Sequence, residues 1–387
     1  MNNNLYLSQA QLNAEVNRCL NCKNHPCMTA CPIHCNPQEF IQFAKSGNYE
    51  GAVESISEAN PMGQTCGLIC PDKFCMKACT RSHLDFPINI PKVQASIMEK
   101  HHHASSITNA CASNGHKVAI IGAGPAGISA CSTLLKSGFD VVMYEATDKV
   151  GGALNLIPEN RLPAEVINKE WNFIRQNPRL QVNFNTAIND AQSLLDSGFE
   201  YIIIASGEPN IINLGIDGED LAVSYVDYLR NPEKYTTDGD VAIIGGGAVA
   251  TDCALTARYN GAQNVEMFIR RRISDMRITY EERKSLLENS IDLTSMTKIK
   301  KISADQNKLT LYTCKTHFVN GKLEEIADTT IKRPDFSLIV KAIGSSAPHF
   351  EDTDRIIYAG DCKTGGSTIV EALASGKSAA EKILNLY

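Results

Sequence analysis

The 387-residue sequence has no overall basic excess, because 37 lysine and arginine residues are outnumbered by 43 aspartate and glutamate residues. The composition therefore gives no indication of a nucleic-acid partner. The first residues also lack the basic and then apolar segments of a secretory signal. We expect a cytoplasmic protein, and in that reducing compartment clustered cysteines serve more often as metal ligands than as disulfides.

Long apolar runs without glycine are missing as well. The longest uncharged stretch, 118–135, has the length of a membrane span, but it contains Gly122, Gly124, Pro125 and Gly127. A glycine fingerprint explains this stretch better than a membrane helix. Hydrophobic residues make up 43% and charged residues 21% of the chain, which excludes a disordered or fibrous protein.

The hydrophobic pattern divides the chain into three parts. Residues 1–104 are rich in cysteine, and helices are predicted at 38–44 and 49–59. The polar stretch that begins with His101, His102 and His103 indicates a solvated linker rather than a metal site. From residue 116 onward, short β-branched runs alternate with helical stretches, which predicts parallel, doubly wound sheets. The predicted fold class is α/β: an α-helical domain followed by two Rossmann-like nucleotide-binding domains.

The first glycine fingerprint comprises Gly122, Gly124 and Gly127 and follows the apolar run 118–121. Glu145 stands 23 positions after Gly122, at the end of the next predicted strand. In a Rossmann fold the first glycine forms the tight turn, the second lets a pyrophosphate approach the backbone, and the third allows close helix–strand packing. An acid at the position of Glu145 accepts hydrogen bonds from a ribose. This copy therefore predicts a dinucleotide without a 2′-phosphate.

The second fingerprint comprises Gly245, Gly247 and Ala250 and follows the apolar run 241–244. No acid ends its next predicted strand; residues 270–272, all arginine, follow instead. A guanidinium pairs with a 2′-phosphate that a carboxylate would repel. This copy therefore favours NADP(H) over NAD, with a solvated arginine turn as the alternative.

A further nucleotide-binding signature, Ala359-Gly360-Asp361, follows the apolar run 356–358. At the end of a strand it can bring Asp361 to the polyol of a cofactor. Because it lies more than 230 residues after Gly122, a shared site requires a discontinuous domain. We therefore expect one nucleotide-binding domain to comprise 116–225 and 336–387, and the second, 226–335, to be inserted in it.

Nine of the 14 cysteines lie between Cys19 and Cys79. They include two groups of four with short spacers: Cys19, Cys22, Cys27 and Cys31, followed by Pro32, and then Cys66, Cys70, Cys75 and Cys79. A four-cysteine run that ends in Cys-Pro is typical of ferredoxin-type iron–sulfur sites, in which the last cysteine serves the other cluster. Structural zinc and unliganded thiols are the alternatives. The scattered cysteines are interpreted as structural: Cys111, Cys131, Cys253, Cys314 and Cys362.

The order of these motifs resembles the family that contains the glutamate synthase small subunit and the N-terminal half of dihydropyrimidine dehydrogenase. The resemblance runs from about Cys19 to Ile383. It rests on the cysteine domain, both fingerprints, Gly151-Gly152, Arg161-Leu-Pro, the arginine run and Ala-Gly-Asp. Residues 65–71 and 88–94 are more similar to dihydropyrimidine dehydrogenase.

The resemblance implies two [4Fe-4S] clusters, one of them with a glutamine ligand. Carried over by position, one cluster is held by Cys19, Cys22, Cys27 and Cys79, and the other by Cys31, Cys70, Cys75 and Gln94. Cys66 matches a cysteine that is not a ligand, although its spacing alone would make it one. Cys35 has no counterpart.

The resemblance also implies one FAD and one NADPH. The implied FAD contacts are Gly122, Ala123, Gly124, Pro125, Ala126, Glu145, Gly152, Arg161, Gly360, Asp361, Thr368 and Ile369. The implied NADPH contacts are Gly247, Ala248, Val249, Arg270, Arg271, Arg277, Ala342, Ile343 and Gly344. Hydride transfer is the chemistry of the cofactors themselves, so no catalytic acid or base is expected.

The function implied by the resemblance is an NADPH oxidoreductase acting as an electron-input subunit. Electrons would leave through FAD and the clusters for a separate partner, a TIM-barrel dihydropyrimidine dehydrogenase subunit that reduces uracil or thymine. One alternative is the small subunit of NADPH-dependent glutamate synthase, with its large chain as partner. The other is a non-catalytic iron–sulfur and flavin scaffold, which intact fingerprints argue against. The sequence contains neither the pyrimidine-binding barrel nor the amidotransferase, and no membrane partner is expected.

Overall fold

The computed structural model describes residues 5–101, 112–208, 210–306, 308–347 and 352–387. The chain forms two compact units: unit 1 contains 1–155, 159–209 and 346–387, and unit 2 contains 156–158 and 210–345. Within the described residues, no helix is both long and apolar enough to cross a membrane. The interpretations of His102, His103 and Cys111 lie outside the described residues.

The N-terminal part of unit 1 is helical. Its helices are α1 (Gln9–Asn17), α2 (Pro26–Thr29), α3 (Pro37–Lys45), α4 (Tyr49–Ala59), α5 (Gly63–Ile69) and α6 (Ile90–His101). The side chains of Asn36 and Asn48 cap α3 and α4 by accepting hydrogen bonds from the Glu39 and Gly51 amides. The helices predicted at 38–44 and 49–59 are thereby confirmed.

The rest of unit 1 contains five strands: β1 (Lys117–Ile121), β2 (Asp140–Tyr144), β3 (Leu180–Asn183), β4 (Tyr201–Ile204) and β15 (Ile356–Tyr358). They form one parallel sheet of order β15-β4-β1-β2-β3. Its helices are α7 (Pro125–Lys136), α8 (Ala164–Arg175), α9 (Gln192–Asp196), α13 (Asp361–Thr364) and α14 (Ile369–Leu384). The chain leaves β1 toward β2 and β3 but returns to its other side at β4. Ligands of doubly wound folds bind in the crevice that this reversal opens at the carboxyl ends of the strands.

The strands of unit 2 include β5 (Asn210–Ile211), β6 (Val223–Ser224), β7 (Asp240–Ile244), β8 (Val265–Phe268), β9 (Asp292–Thr294), β10 (Thr297–Asp305), β11 (Lys308–Val319), β12 (Lys322–Glu325) and β13 (Ile331–Lys341), and β14 (Ser345–Ser346) lies at its boundary. They include a mixed sheet of order β10-β11-β13-β7-β8-β9, in which β12 also pairs with β11 and β6 with β13. Its helices are α10 (Tyr225–Arg230), α11 (Ala248–Tyr259) and α12 (Tyr280–Glu288).

The parallel part of this sheet, β13-β7-β8-β9, is the Rossmann-like half that the second fingerprint predicts. The antiparallel strands β10, β11 and β12 are not expected from the sequence. Their burial pattern is typical of antiparallel strands: β10 alternates largely between buried and exposed residues, as an antiparallel strand with one solvated face does. The α/β fold with one domain inserted in another is confirmed, and the exact limits of the predicted domains stay a prediction.

Candidate redox centres and nucleotide sites

The cysteines between α1 and α6 surround two separate pockets. The first, called pocket A, is lined by Cys19, Cys22, Cys27 and Cys79, the four residues that the resemblance assigns to one cluster. The rest of its wall is mainly apolar and includes Leu20, Ile41, Ile88 and Ile90. The Cys22 Sγ lies 2.8 Å from the Thr80 Oγ1. Four thiols that share one pocket are a donor set suited to iron or zinc.

The second pocket, called pocket B, is lined by the other implied set, Cys31, Cys70, Cys75 and Gln94. Cys35 and Cys66 line the same pocket, so it offers more thiols than a four-iron cluster needs. The pocket also contains Val370, from the first turn of α14. The structure thus brings the implied ligands together, and the roles of Cys35 and Cys66 stay open.

Gln94 has a fixed orientation in pocket B. Its Nε2 donates a hydrogen bond of 2.7 Å to the carbonyl oxygen of Gly63, which can only accept. The other end of the amide must therefore be the oxygen, and this Oε1 lies 3.9 Å from the Cys35 Sγ. A buried amide oxygen in a pocket lined by several cysteines is suited to complete a ligand set with three of them.

Burial makes one thiol in each pocket, Cys27 in pocket A and Cys75 in pocket B, reluctant to ionise. It raises the pKa of Cys27 to about 11 and the pKa of Cys75 to about 12. Because metals bind the thiolate, a bound metal must supply the free energy that removes these protons. Within the described chain, no three Cys, His, Asp or Glu side chains converge closely enough to share a single metal ion. A cluster does not require such convergence, since each ligand binds a different iron.

The first fingerprint has the backbone geometry that a dinucleotide requires. Gly122 has a φ of +102°, and a side chain there would meet the Ala205 carbonyl oxygen at 2.4 Å. A side chain at Gly127 would lie 2.0 Å from the Gly122 carbonyl oxygen, so this glycine allows α7 to pack on the turn. At Gly124 the nearest atom would be 3.9 Å away, which leaves the backbone at the start of α7 open to a phosphate.

Glu145 lies one residue beyond β2 and faces this turn. Its Oε2 accepts a 2.8 Å hydrogen bond from the Ala123 amide, and its Oε1 accepts two 2.8 Å bonds from the amide and hydroxyl of Thr147. A carboxylate offers about four acceptor positions, so capacity remains for a ribose hydroxyl. Glu145 is 8% exposed, which suits a residue beneath a bound nucleotide.

The C-terminal signature joins the first fingerprint in space. Gly360 has a φ of +72°, and a side chain there would lie 2.8 Å from the Cβ of Ala126. Farther along α14, a side chain at Gly376 would lie 1.9 Å from the Ala126 carbonyl oxygen, so α14 and α7 are in backbone contact. The Asp361 Oδ1 accepts a hydrogen bond of 2.5 Å from Ser367, and burial raises the pKa of Asp361. One crevice is therefore lined by segments more than 230 residues apart.

Of the remaining implied FAD residues, Gly152 contacts this crevice directly. The backbone of Gly152 lies against that of Gly124, and a side chain at Gly152 would come within 3.2 Å of it. Arg161 is half-buried in the loop before α8. Thr368 caps α14 and shares a capping box with Glu371, and Ile369 is the first residue of that helix.

The second fingerprint repeats this design in unit 2. Gly245 has a φ of +150°, and a side chain there would lie 2.3 Å from the Ala342 carbonyl oxygen. A side chain at Gly247 would meet no atom within 4 Å, so the backbone here is as open as it is at Gly124. The backbone of Arg277 forms an isolated bridge with Gly247, which brings this arginine to the start of α11. Ala342, Ile343 and Gly344 follow β13, next to the turn at Gly245.

The three arginines after β8 differ in what they contact. Arg272 forms a 3.1 Å ion pair with Asp275 and lies over the ring of Phe318. Arg270 and Arg271 are exposed, and no ion pair is found for either side chain in the described residues. The residue that corresponds to Glu145, one position past the strand, is the buried Ile269. Two exposed guanidinium groups therefore follow the strand where an NAD site carries an acid.

Three charged side chains that the sequence analysis did not single out tie the cysteine helices to the flavin-type domain of unit 1. The Lys136 Nζ, on α7, donates to the carbonyl oxygens of Ser57 and Glu58 at 3.0 Å. Lys169 and Glu170, on α8, contact the ends of α6 and α5. In sequence these residues look like part of a solvated helix face, so no pattern would have found them.

Two family models match the chain. The model described as dihydropyrimidine dehydrogenase domain II, 4Fe-4S cluster, matches residues 2–106, and the pyridine nucleotide-disulphide oxidoreductase model matches residues 116–349. The second match spans more than half of the chain. The chain belongs to the pyridine nucleotide-disulphide oxidoreductase family. The chain is therefore an NAD(P)H oxidoreductase with the FAD-binding fold of that family and a 4Fe-4S domain.

Curated relatives confirm the resemblance read from the motifs. The chain is 32% identical over 95% of its length to the NAD-dependent dihydropyrimidine dehydrogenase subunit PreT of Salmonella typhimurium, and it covers 92% of that protein. Identity to the Escherichia coli K12 subunit of the same name is 30%, with the same coverage. The NADPH glutamate synthase small chain of Escherichia coli K12 is 23% identical over 98% of this chain and 92% of its own. The chain is an electron-input subunit of this type.

Solved structures support the fold. The NADPH complex of FprA from Mycobacterium tuberculosis covers 70% of this chain with a TM-score of 0.58 and 16% identity, and 84% of its own length is matched. The thioredoxin reductase of T. acidophilum covers 69% with a TM-score of 0.52 and 19% identity, matched over 97% of its length. At these identities the likeness concerns the fold alone.

Proposed function

We propose that this protein is the cytoplasmic electron-input subunit of a dihydropyrimidine dehydrogenase, and that it uses NADPH, one FAD and two [4Fe-4S] clusters. Bound FAD would accept the hydride of NADPH, and bound clusters would carry its two electrons onward one at a time, with the proton left to solvent. The protein's contribution is to hold and orient the cofactors that perform this chemistry.

The observation that carries the proposal is the order in which the proposed cofactor sites adjoin one another within unit 1. Val370 belongs to pocket B and directly follows Thr368 and Ile369, two of the proposed FAD contacts. Ile90 lines both pocket B and pocket A. These shared residues support a route for electrons from the proposed FAD crevice to pocket B and then to pocket A. Such an arrangement suits electron transfer and has no evident use in a purely structural scaffold.

Each proposed set of cluster ligands lines one of the two pockets. We assign Cys19, Cys22, Cys27 and Cys79 to the cluster in pocket A. We assign Cys31, Cys70, Cys75 and Gln94 to the cluster in pocket B, where the orientation of the Gln94 amide supports its role. For FAD, support comes from the open backbone at Gly124, the acceptor capacity of Glu145, and the closeness of Gly360 to Ala126.

The choice of NADPH rests on Arg270 and Arg271, which are exposed and without ion-pair partners in the described residues, and on Arg277 beside Gly247. The names of the PreT relatives read NAD-dependent, whereas that of the glutamate synthase small chain reads NADPH. The assay must therefore compare both nucleotides.

The proposed partner is a separate flavin-containing TIM-barrel subunit that reduces uracil or thymine. Support comes from the higher identity to the dihydropyrimidine dehydrogenase subunits, 30–32%, than to the glutamate synthase small chain, 23%. The matched 4Fe-4S domain carries the dihydropyrimidine dehydrogenase description as well. The glutamate synthase large chain is the second candidate partner.

The test begins with protein purified without oxygen. About eight irons and one FAD per chain are expected, together with oxidation of NADPH by ferricyanide. The isolated chain should reduce neither uracil nor 2-oxoglutarate with glutamine. Mixing with a barrel subunit should give uracil reduction, and mixing with a glutamate synthase large chain should not. Zinc in place of iron would contradict the cluster assignment, and glutamate formation in the second mixture would favour the alternative partner.

A further inference from the structure

Glu170 is a buried carboxylate on α8 that binds the first turn of α5. The side chain is 1% exposed. Its Oε1 accepts a hydrogen bond from the Gln64 amide at 2.5 Å, and its Oε2 accepts from the Thr65 amide at 3.1 Å and the Thr65 hydroxyl at 2.6 Å. The first amides of a helix have no partner within the helix, and the helix dipole favours an anion at that end. Glu170 therefore caps α5 from a helix that lies about 100 residues farther along the chain.

The neighbouring residue Lys169 contacts the opposite end of another helix. Its Nζ donates to the carbonyl oxygens of Met98 and Glu99, at 3.3 and 3.4 Å, in the last turn of α6. Carbonyl groups at a helix C-terminus lack partners within the helix and favour a cation. The Met98 side chain also lies next to Gly63, so the start of α5 and the end of α6 are adjacent. Two consecutive residues thus bind two neighbouring helix ends of opposite polarity.

These two helices carry ligands proposed for pocket B. Cys70 directly follows α5, and Gln94 lies within α6. The Gln94 amide in turn donates to the carbonyl oxygen of Gly63, the first residue of α5. A shift of either helix end therefore moves a wall of the pocket.

Helix α8 is in turn packed on the proposed FAD site. A side chain at Gly151 would lie 3.4 Å from the Cγ2 of Ile167, and the neighbouring Gly152 lies against Gly124. Arg161, another proposed FAD contact, lies in the loop before α8. A continuous series of contacts thus runs from the fingerprint through α8 to the helices of pocket B.

We propose that Lys169 and Glu170 form a two-residue clamp that positions pocket B relative to the FAD crevice and thereby sets the rate of electron transfer between them. This inference rests on the proposed function. Both residues act through the helices they cap, so they are positioning residues and not catalytic ones. Reduction of FAD by NADPH does not depend on this geometry, which separates the clamp from a general effect on folding.

The test uses the complete holoprotein and the variant Glu170→Gln. In this variant an NH₂ group, which cannot accept a hydrogen bond, replaces one of the two carboxylate oxygens. At least one of the three donors, the Gln64 amide and the amide and hydroxyl of Thr65, therefore loses its acceptor. Thr65→Val removes one hydrogen bond with a smaller change, and Thr65→Ser retains the hydroxyl. Glu165→Gln, on an exposed position of α8, removes the same charge without touching α5.

Two readouts are needed. Hydrogen–deuterium exchange should show faster exchange in peptides covering α5 and the end of α6 for Glu170→Gln and Thr65→Val, and no change for Glu165→Gln. Anaerobic rapid mixing with NADPH should show FAD reduction at close to the wild-type rate, followed by cluster reduction that is slower by about tenfold or more. Thr65→Ser should restore most of the cluster rate.

The outcomes separate this inference from the function on which it rests. If NADPH reduces no cluster in the wild type, the proposed function fails and the clamp with it. If the wild type transfers electrons, and both Glu170→Gln and Thr65→Val retain iron and the wild-type cluster rate, the clamp alone is wrong. Equal slowing of both steps would also overturn it, because that result indicates general destabilisation.

Discussion

The side-chain nitrogen of Gln94 donates to the carbonyl oxygen of Gly63, and this single contact decides which atom of the amide faces the cysteines of pocket B. The orientation gives the proposed ligand set its first test. Gln94→Ala should lower the iron content from about eight toward about four atoms per chain, because the cluster in pocket B loses a ligand.

Cys66→Ala is the matched control for Gln94→Ala, since both residues line pocket B and only Gln94 is a proposed ligand. It should leave iron content and the electron paramagnetic resonance of the reduced protein unchanged. If Cys66→Ala loses iron while Gln94→Ala retains it, the spacing of the cysteines is the better guide to the ligands.

The nucleotide preference should depend on Arg270 and Arg271. Each charge-assisted contact to a phosphate contributes roughly 1.5–3 kcal/mol, so the double alanine variant, which loses two such contacts, should use NADPH less well by roughly a hundredfold to ten-thousandfold. The loss should appear mainly in KM, because the 2′-phosphate lies far from the hydride and binds equally in the ground and transition states. Steady-state ferricyanide reduction with each nucleotide measures both constants.

Use of NADH should change little in that variant. Arg272→Ala is its control, since Arg272 already pairs with Asp275 and should not affect the choice between nucleotides. Equal losses with NADPH and NADH would show that Arg270 and Arg271 are structural. A wild type that already prefers NADH would contradict the NADPH assignment.

The contact between α14 and α7 should be sensitive to one methyl group. In Gly376→Ala the new Cβ would lie 1.9 Å from the Ala126 carbonyl oxygen, and that helix start cannot yield without opening the proposed FAD crevice. Overpacking of this kind costs about 1–3 kcal/mol. We expect less FAD per chain and a lower thermal midpoint, measured by flavin absorbance and differential scanning fluorimetry. Ser378→Ala, at an exposed position of the same helix, should retain both; a variant Gly376→Ala with normal FAD content would argue against the crevice.

The free energy of unfolding should depend on pH because Glu170 titrates differently in the folded and unfolded states. Burial raises the pKa of Glu170 to about 7, and hydrogen bonds from Thr65 and Gln64 only partly oppose this. The folded state therefore holds a proton that the unfolded chain, with an ordinary carboxyl pKa, has already released. Between those two pKa values, stability falls as the pH rises, and above the higher value the loss is complete.

Comparison with Glu170→Gln isolates this contribution. From about pH 5.5 to about pH 8.5 the wild type should lose about 2 kcal/mol of stability relative to the variant. Thermal midpoints across that range measure the change. A constant difference between the two proteins would mean that Glu170 has an ordinary pKa in the folded state.

The parts of the molecule that the sequence predicts are those with a local pattern. Gly122 and Gly127 each have a backbone requirement that glycine alone meets, and Gly124 leaves the backbone open to a phosphate, so the spacing of the three is enough to identify the turn. The helix 49–59 is predictable for a similar reason, because Asn60 and Pro61 end it. The closeness of Gly360 to Ala126 is predictable because the first fingerprint and the Ala-Gly-Asp signature are expected to bind one cofactor.

The sequence could not predict contacts that depend on tertiary packing. Lys169 and Glu170 carry no signal, because a Lys-Glu pair on a helix is ordinarily solvated and only the fold buries the carboxylate. The antiparallel strands β10 to β12 are not predicted because their alternation is weaker than the apolar runs of the parallel strands. Cysteine spacing favours Cys66 as a ligand where the resemblance does not, and the pocket does not decide between them, since Cys35, Cys66 and Cys70 all line it.

Ile90 has a consequence for the redox properties of the protein. This side chain is 3% exposed and lines both pockets. It therefore excludes water that would otherwise weaken the electrostatic interaction between charges in the two pockets. Charges separated by a medium of low dielectric influence one another strongly. In the proposed two-cluster arrangement, an electron on one centre therefore makes the other harder to reduce. The pair would hold its first electron firmly and release its second readily, so the second electron would be the one most easily passed to a partner.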